Sequence, residues 1–194
     1  MLSEFKPALR LLLVMAVLTG LLYPLAVTGL AQLLFPFQAH GSLIEDNSGR
    51  VIGSALVGQR FQKPGYFQSR PSAAGADGYD ATQSGASNLA TTSKRLIADI
   101  TARAEARRAD AGPTPGPLPV DLVTASASGL DPDLSPAAAF YQIPRIAHVR
   151  GVSEEKLRIL VGLLVEKRSY GILGEPRVNL LKLNLALDEM TRTE

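Results

Sequence analysis

The chain has 194 residues, enough for one domain of ordinary size and one additional element. Its 20 Lys and Arg residues and 18 Asp and Glu residues give a formal net charge of +2, without a basic block, so we expect no nucleic-acid partner. Cys is absent, which excludes disulfides, and the two His residues lie far apart without metal-ligand neighbours, so we expect no metal site.

The N-terminal region predicts a membrane helix. No formally charged residue occurs between Leu11 and Ile44. The most apolar part is the range 11–35, which would form a helix of about 37 Å, against about 30 Å for the hydrocarbon core of a bilayer. Pro24 lies in the middle of this range, where we expect it to kink the helix.

The alternative interpretation of this region is a cleaved signal peptide with a cleavage site at Gly29–Ala31. We favour a retained anchor, because the apolar run is longer than the roughly 7–15 residues of a signal peptide's apolar part. Lys6 and Arg10 precede the run, so residues 1–10 should stay in the cytoplasm. Residues 36–194 should then lie outside, in the periplasm of a bacterium whose inner membrane holds the helix.

The extracytoplasmic domain begins with a predicted hairpin over Gly41–Gly58, in which apolar residues flank a turn at Asp46–Gly49. Three aromatic residues follow between Pro and Gly residues. We expect these aromatic side chains to pin the chain to the core of the domain, and they are Phe61, Tyr66 and Phe67.

The range Arg70–Leu89 has twenty residues with neither helical nor strand periodicity, and it is rich in Gly, Ala, Ser and Asp. The anchoring aromatics precede it and a helix follows it, so we predict an ordered loop rather than a linker. One interpretation is that the loop contacts a partner protein, and the alternative is that it only completes the fold of its own domain. Arg70 and Asn88 are the predicted partner contacts, because each can make several directed hydrogen bonds.

A helix should follow the loop, with Ser87 or Asn88 as its N-cap. Its later part is polar, and we expect a solvated face that carries Arg103, Arg107 and Arg108. The proline-rich range Gly112–Pro119 should end this helix and form a semi-rigid connector.

The next predicted elements are a strand over Val120–Ser126 and a helix with Ser135 as its N-cap and a proline at its first position. Pro144 should kink or divide that helix, and Gly151 should end it.

The last part of the chain predicts an amphipathic helix capped by Ser153. Its buried stripe should contain Leu157, Leu160, Val161 and Leu164. A strand over Val178–Leu183 and a short final helix capped by Asn184 should complete the domain. Because strands and helices alternate, the predicted class is α/β or α+β, as a single domain behind one transmembrane helix.

Catalytic motifs are scarce in this sequence. It contains no G-x-x-x-x-G-K-[ST] phosphate loop and no G-x-S-x-G nucleophile elbow. Ser153 and Lys156 match the S-x-x-K motif, which leaves a membrane-anchored hydrolase as an alternative. The predicted helix-cap role already accounts for Ser153. Asp131 and Asp133 are better explained by turn and cap chemistry than by calcium, which needs six to eight oxygen ligands. We therefore expect no catalytic residues.

Four long strings carry a resemblance to a known family. Behind one N-terminal membrane helix stand, in this order, GQRFQKPGYFQSRPSAAGADGYD, SGASNL, PVDLVTASASGLDPDLSPAAAFYQIPRIAHVRG and LGEPRVNLLKLNLALD. The chain closely resembles KdpC, the C subunit of the bacterial Kdp potassium-transporting P-type ATPase. It departs from the family's usual pattern at Ala86, at Ala90–Thr91 and at Asp133.

The resemblance implies a non-catalytic accessory subunit of a potassium import complex. Its partners would be a potassium-translocating subunit, a P-type ATPase subunit and a very small membrane peptide. The family is described as a catalytic chaperone that raises the affinity of the ATPase subunit for ATP, and the resemblance makes Gln142 a nucleotide contact. That role conflicts with the predicted topology, because ATP is cytoplasmic. The alternatives are an anchored periplasmic hydrolase or a binding module unrelated to transport.

Overall fold

The computed structural model describes residues 2–46, 48–110 and 116–192. The chain forms two compact units, which divide between Ile52 and Gly53. This division lies beyond the predicted boundary after residue 35, because the first unit also contains the chain that follows the apolar helix.

The first unit is mostly one long helix in three segments. These are α1 (Leu2–Val17), a π-helical turn (Leu18–Leu22) and α2 (Tyr23–Leu34). A single turn, α3 (Pro36–Ala39), and strand β1 (Leu43–Glu45) follow.

This helix is long and apolar enough to cross a membrane over Glu4–Leu34, a stretch of 31 residues that spans about 46 Å. The π-helical turn explains how it accommodates Pro24. A proline lacks an N–H and its ring collides with the carbonyl four residues earlier. Here the N–H of Tyr23 donates to the carbonyl of Leu18, five residues earlier, so the helix widens just before the proline.

The predicted hairpin is confirmed. Strand β1 pairs with β2 (Val51–Ser54). The turn between them is organised by Asp46, whose Oδ1 accepts hydrogen bonds from the backbone N–H groups of Ser48 (2.9 Å) and Arg50 (3.0 Å). Asn47, also part of the predicted turn, lies outside the described residues.

The second unit is a mixed helix and strand domain, as predicted. Its elements are α4 (Lys94–Asp110), a 3-10 turn (Val120–Leu122), β3 (Asp133–Leu134), α5 (Pro136–Arg150), α6 (Glu154–Leu164), β4 (Val178–Asn179) and α7 (Leu180–Arg192). The strands β3 and β4 are antiparallel, with Asp133 opposite Asn179 and Leu134 opposite Val178.

The core of this domain lies among α5, α6 and α7. Their apolar faces bury one continuous cluster, which includes Phe67, Ile143, Ile146, Leu157, Val161, Leu183 and Leu187. The caps of α5 and α6 were predicted correctly. Ser135 and Ser153 accept hydrogen bonds from the N–H groups three residues later, and Gly151 ends α5 in the left-handed conformation. Leu157 and Val161 are buried, as the stripe on α6 predicts.

The start of one predicted helix and one whole predicted strand before residue 127 are wrong. The helix does not start after Ser87 or Asn88 but at Lys94, where Ser93 provides the cap. The predicted strand Val120–Ser126 begins with a 3-10 turn, because the N–H groups of Val123 and Thr124 both donate to the carbonyl of Val120. Of the predicted connector, residues 112–115 lie outside the described residues.

Two predictions in the last third are also corrected. Helix α5 is not divided at Pro144 but runs through it to Arg150, and the alternative of a kink at this proline stays a prediction. The predicted strand Val178–Leu183 ends at Asn179, and α7 starts immediately afterwards, with the side chain of Asn179 accepting from the N–H of Lys182 (3.1 Å). Asn184 is therefore not a cap but a buried residue of α7.

Candidate functional site

The loop Arg70–Leu89 is held in one conformation by its own side chains. The hydroxyl of Ser72 donates to the carbonyl of Gly129 (2.6 Å) and accepts from the N–H groups of Ala74 (3.1 Å) and Tyr79 (2.8 Å). A hydroxyl has one donor and two acceptor positions, so this one is fully used. The Tyr79 hydroxyl donates to the carbonyl of Arg70 (2.6 Å), and burial raises the pKa of Tyr79.

A second centre in the loop is Asp80. The hydroxyl and then the backbone N–H of Thr82 bond to its carboxylate, which lowers the pKa of Asp80, and the Gln83 amide also donates to it (2.8 Å). These bonds fold the exposed tip of the loop without help from the core. The predicted ordered loop is confirmed in this respect.

The loop packs against the chain just before β3. The backbone N–H of Gly85 and the hydroxyl of Ser84 both donate to the carbonyl of Ser128, each at 2.9 Å. Gly129 makes the closest approach, at a φ of 67°. A Cβ atom there would lie 2.7 Å from two atoms of Ala74 and 2.8 Å from the Gly85 carbonyl oxygen, so only glycine fits.

Two buried amide side chains clamp the segment that leads into the loop. The Asn184 amide accepts from the N–H of Phe67 and donates to its carbonyl, both at 2.9 Å. The Gln142 amide does the same for Gln68, at 2.8 Å and 3.1 Å. The segment thus gains the pairing that a neighbouring strand would give, although α5 and α7 supply it. Gln142 and Asn184 are 3% and 1% exposed.

The predicted aromatic anchors hold the same segment. Phe67 is fully buried in the core, and Phe61 packs against that core. The hydroxyl of Tyr66 donates to Asp188 (2.8 Å), and the guanidinium of Arg150 lies 4.5 Å from the centre of the Tyr66 ring. The expectation of anchoring aromatics is confirmed.

Among the predicted site residues, Arg70 and Gln142 are engaged within the domain. Arg70 Nη1 lies 2.7 Å from Asp131 Oδ2 in a half-buried ion pair. Gln142 Oε1 also accepts from Arg145 Nη2 (2.8 Å), and Gln142 Nε2 also donates to the carbonyl of Ala138 (3.2 Å). The Gln142 amide therefore has protein partners at both of its ends.

Asn88 is placed differently. It is exposed and has a φ of 51°, in the left-handed region that asparagine tolerates better than most residues. Its side chain makes no hydrogen bond to the described residues, so its amide is available to a partner. The structure does not bring Arg70, Asn88 and Gln142 together into one ligand site.

The arginine face of α4 is not simply solvated, which corrects that expectation. Arg107 is half-buried and donates to the side-chain oxygen of Gln68 and to the carbonyl of Ser69 (3.1 Å). Arg103 donates to the carbonyl of Val123 (3.2 Å), whereas Arg108 is exposed. Arg103 and Arg107 are four residues apart, which places them on one face of a helix. This spacing was the feature of the sequence that could have predicted a shared inward-facing role.

The weaker catalytic candidates have structural explanations. The hydroxyl of Ser153 caps α6 by accepting from the N–H of Lys156 (3.4 Å), which is a role a nucleophile would not need. Asp131 accepts from the N–H of Asp133 (3.0 Å), as turn chemistry predicts. Burial raises the pKa of Asp133, and Arg177 pairs with it at 3.2 Å. The described residues contain no group of three or more potential metal ligands.

Known proteins resemble this chain over nearly its whole length. The family described as K+-transporting ATPase, c chain (KdpC), matches residues 5–189. A potassium-transporting ATPase KdpC subunit from Myxococcus xanthus is 57% identical over 188 residues, covering 97% of this chain and 89% of that protein. The subunit of the same name from Gemmatimonas aurantiaca is 52% identical over 193 residues, with coverages of 100% and 96%.

A third such subunit, from Methylococcus capsulatus, is 54% identical over 191 residues, covering 98% of this chain and 100% of that protein. The match includes the apolar helix, the loop and the three C-terminal helices. The resemblance inferred from the sequence motifs is thereby confirmed. The chain belongs to the KdpC family, the c chain of the K+-transporting ATPases.

Proposed function

We propose that the chain is a non-catalytic, membrane-anchored accessory subunit that stabilises a K+-transporting ATPase complex. It assembles with a potassium-translocating subunit, a P-type ATPase subunit and a small membrane peptide. The observation that carries this proposal is the continuous similarity over residues 5–189 to subunits of potassium-transporting ATPases. A binding role is supported by the weaker catalytic candidates, since Ser153 serves as a helix cap and Asp131 as a turn centre.

The proposed orientation places residues 1–10 in the cytoplasm and the domain in the periplasm. It is supported by Lys6 and Arg10 at the N-terminal end of the helix, before its apolar run over residues 11–35, and by the next basic residue, Arg50, well after that run. The inner membrane is the corresponding site in a bacterium.

The proposed partner surface is the outer side of the loop Arg70–Leu89. The internal bonds of Ser72 and Asp80 fix its shape, so little conformational entropy would be lost on binding. Asn88 is the stronger of the two candidate contacts, because its amide is exposed and unused. Arg70 remains a candidate whose substitution would also break its ion pair with Asp131.

The effect on ATP affinity, which the resemblance implies, remains a proposal. A periplasmic domain would act on the ATPase subunit only through the assembled complex. We propose that Gln142 contributes as a positioning residue, because its amide holds the backbone of Gln68 at the start of the partner loop. Under this proposal, Gln142→Ala alters ATPase activity only to the extent that it alters assembly.

Deletion of the chain in a bacterium that depends on this transporter tests the function. We expect loss of growth at limiting potassium, and loss of the detergent-stable complex of the remaining subunits. Normal growth together with an intact complex would contradict an accessory role.

The surface is tested by Asn88→Gly, which removes the amide and relieves the left-handed backbone. Tyr170→Gly is the matched control, because Tyr170 also has a positive φ (54°) and is 93% exposed. We expect Asn88→Gly to weaken copurification of the partners while Tyr170→Gly does not. Equal copurification of both variants with wild type would exclude Asn88 as a contact.

A further inference from the structure

A cavity of about 490 Å³ lies beside the loop Arg70–Leu89, and its wall is rich in arginine. Four arginine residues line it, and they are Arg60, Arg70, Arg103 and Arg107. Among the described residues that line the cavity, Asp77 is the one acidic residue. The domain as a whole is nearly neutral, so this concentration of positive charge is local.

The first two arginines enter the wall from the segment around the loop. Arg70 pairs with Asp131, but its Nε–H has no hydrogen-bond partner among residues 2–46, 48–110 and 116–192. Arg60 donates to the backbone carbonyl of Asp77 (2.9 Å), which is a neutral acceptor. Arg60 forms no ion pair with a described carboxylate.

The other two arginines come from α4 and also meet neutral oxygens. Arg103 bonds to the carbonyl of Val123 (3.2 Å), and Arg107 bonds to the Gln68 side chain and the Ser69 carbonyl (3.1 Å). A guanidinium has five N–H donors, so most donors of both groups are not used by these bonds. Neither group forms an ion pair with a carboxylate in the described part of the chain.

Burial lowers the pKa of Arg107, which reflects the cost of holding its charge there, and the nearby carboxylate of Asp110 acts in the opposite direction. Arg103 is also partly buried, without an ion pair to a described carboxylate. A bound anion would offset the cost of these partly buried charges. A neutral ligand would not.

We infer that this cavity binds a phosphate-type oxyanion, either free inorganic phosphate or the headgroup of an anionic phospholipid. The guanidinium fork matches two oxygens of such a group, which gives paired, charge-assisted hydrogen bonds. The volume is within the range of small-ligand sites and exceeds what one bare phosphate needs. The cavity shares Arg70 and the neighbouring loop residues with the proposed partner surface, but Asn88 does not line it. Phosphate binding to the isolated chain can therefore fail or succeed separately from partner binding through Asn88.

The test is calorimetric titration of the full-length chain in neutral detergent with inorganic phosphate, at constant ionic strength set with chloride. We expect saturable binding to wild type. Arg103→Gln should weaken it about tenfold, because a charge-assisted contact is lost. Arg108→Gln is the matched control, since Arg108 is exposed on the same helix, and we expect no change in affinity.

Arg60→Gln provides a second variant with little effect on folding, because the Arg60 side chain is exposed and its hydrogen bonds within the described chain go to the Asp77 carbonyl and the Gln62 amide. It should also weaken phosphate binding about tenfold. Phosphate that gives no saturable heat with wild type would overturn the inference. The inference would also be overturned if Arg60→Gln, and Arg103→Gln where it folds, bound phosphate as tightly as Arg108→Gln.

Nanodiscs distinguish the two sources of the anion. Weaker apparent phosphate affinity in phosphatidylglycerol than in phosphatidylcholine nanodiscs would assign the cavity to a lipid headgroup. Equal affinity in both would assign it to the free anion. Phosphate that binds in neither type of nanodisc would overturn the inference for the membrane-embedded chain.

Discussion

Replacing Asn184 by alanine should destabilise the domain more than its polar character suggests. The Asn184 amide is the hydrogen-bond partner of both backbone groups of Phe67, at 2.9 Å each, and both residues are buried. Alanine can supply neither bond. The Phe67 N–H and carbonyl would then lie in the core without partners unless the segment moves.

An unpaired buried polar group costs about 1–3 kcal/mol, and two such groups are created here. We therefore expect Asn184→Ala to lower the free energy of unfolding by about 2–6 kcal/mol. Asn88→Gly removes the same chemical group from an exposed position and should change that free energy by less than about 0.5 kcal/mol. Comparing the two variants thus distinguishes the loss of the Asn184–Phe67 backbone hydrogen bonds from a general effect of losing an amide.

The assay is urea unfolding of the full-length chain in detergent, followed by circular dichroism. Proteolysis of the native protein adds a second measure, because release of Phe67 should expose the loop that follows it. An Asn184→Ala protein that unfolds within about 0.5 kcal/mol of wild type would refute the reasoning. It would mean that water or a shifted backbone replaces the amide at little cost.

Three further predictions concern the loop. Gly129→Ala should destabilise the domain by about 2–4 kcal/mol, because the new Cβ atom would sit on a left-handed backbone and lie 2.7 Å from atoms of Ala74. Urea unfolding measures this, and an unchanged unfolding midpoint would contradict the close packing. Arg70→Ala should cost about 1–3 kcal/mol, and a double-mutant cycle with Asp131→Ala should show coupling rather than additivity. The hydrogen bonds from Thr82 lower the pKa of Asp80 below its ordinary 3.8. Their contribution to stability is therefore fully present above pH 3.8 and is lost as the pH falls through the lowered pKa of the folded state. Hydrogen exchange of the loop should show this loss of protection at low pH in wild type but not in Asp80→Asn.

Local chemistry explains which parts of the fold could be predicted from sequence. The caps at Ser135 and Ser153 and the turn at Asp46 depend on residues at most four positions away, and all three were predicted correctly. The start of α4 was harder, because Ser87, Asn88 and Ser93 are equally good caps by composition. Only the turn at Ala90–Ser93 decides among them.

The clamp was out of reach for a different reason. Asn184 meets a residue 117 positions away, and Gln142 meets one 74 positions away. The sequence predicted Asn184 as a cap, because an asparagine amide can bond either to the backbone next to it or to a distant segment, and the residue type alone does not show which. Likewise, Arg103 and Arg107 looked solvated, since their acceptors are backbone carbonyls, which any sequence provides.

The central claim is that this chain works as a subunit of an assembled potassium pump. Native mass spectrometry of the complex, purified through a tag on this chain in mild detergent, measures that directly. We predict one mass that contains the chain together with a potassium-translocating subunit and a P-type ATPase subunit. A chain that is recovered alone, from cells that express all the subunits, would contradict the account.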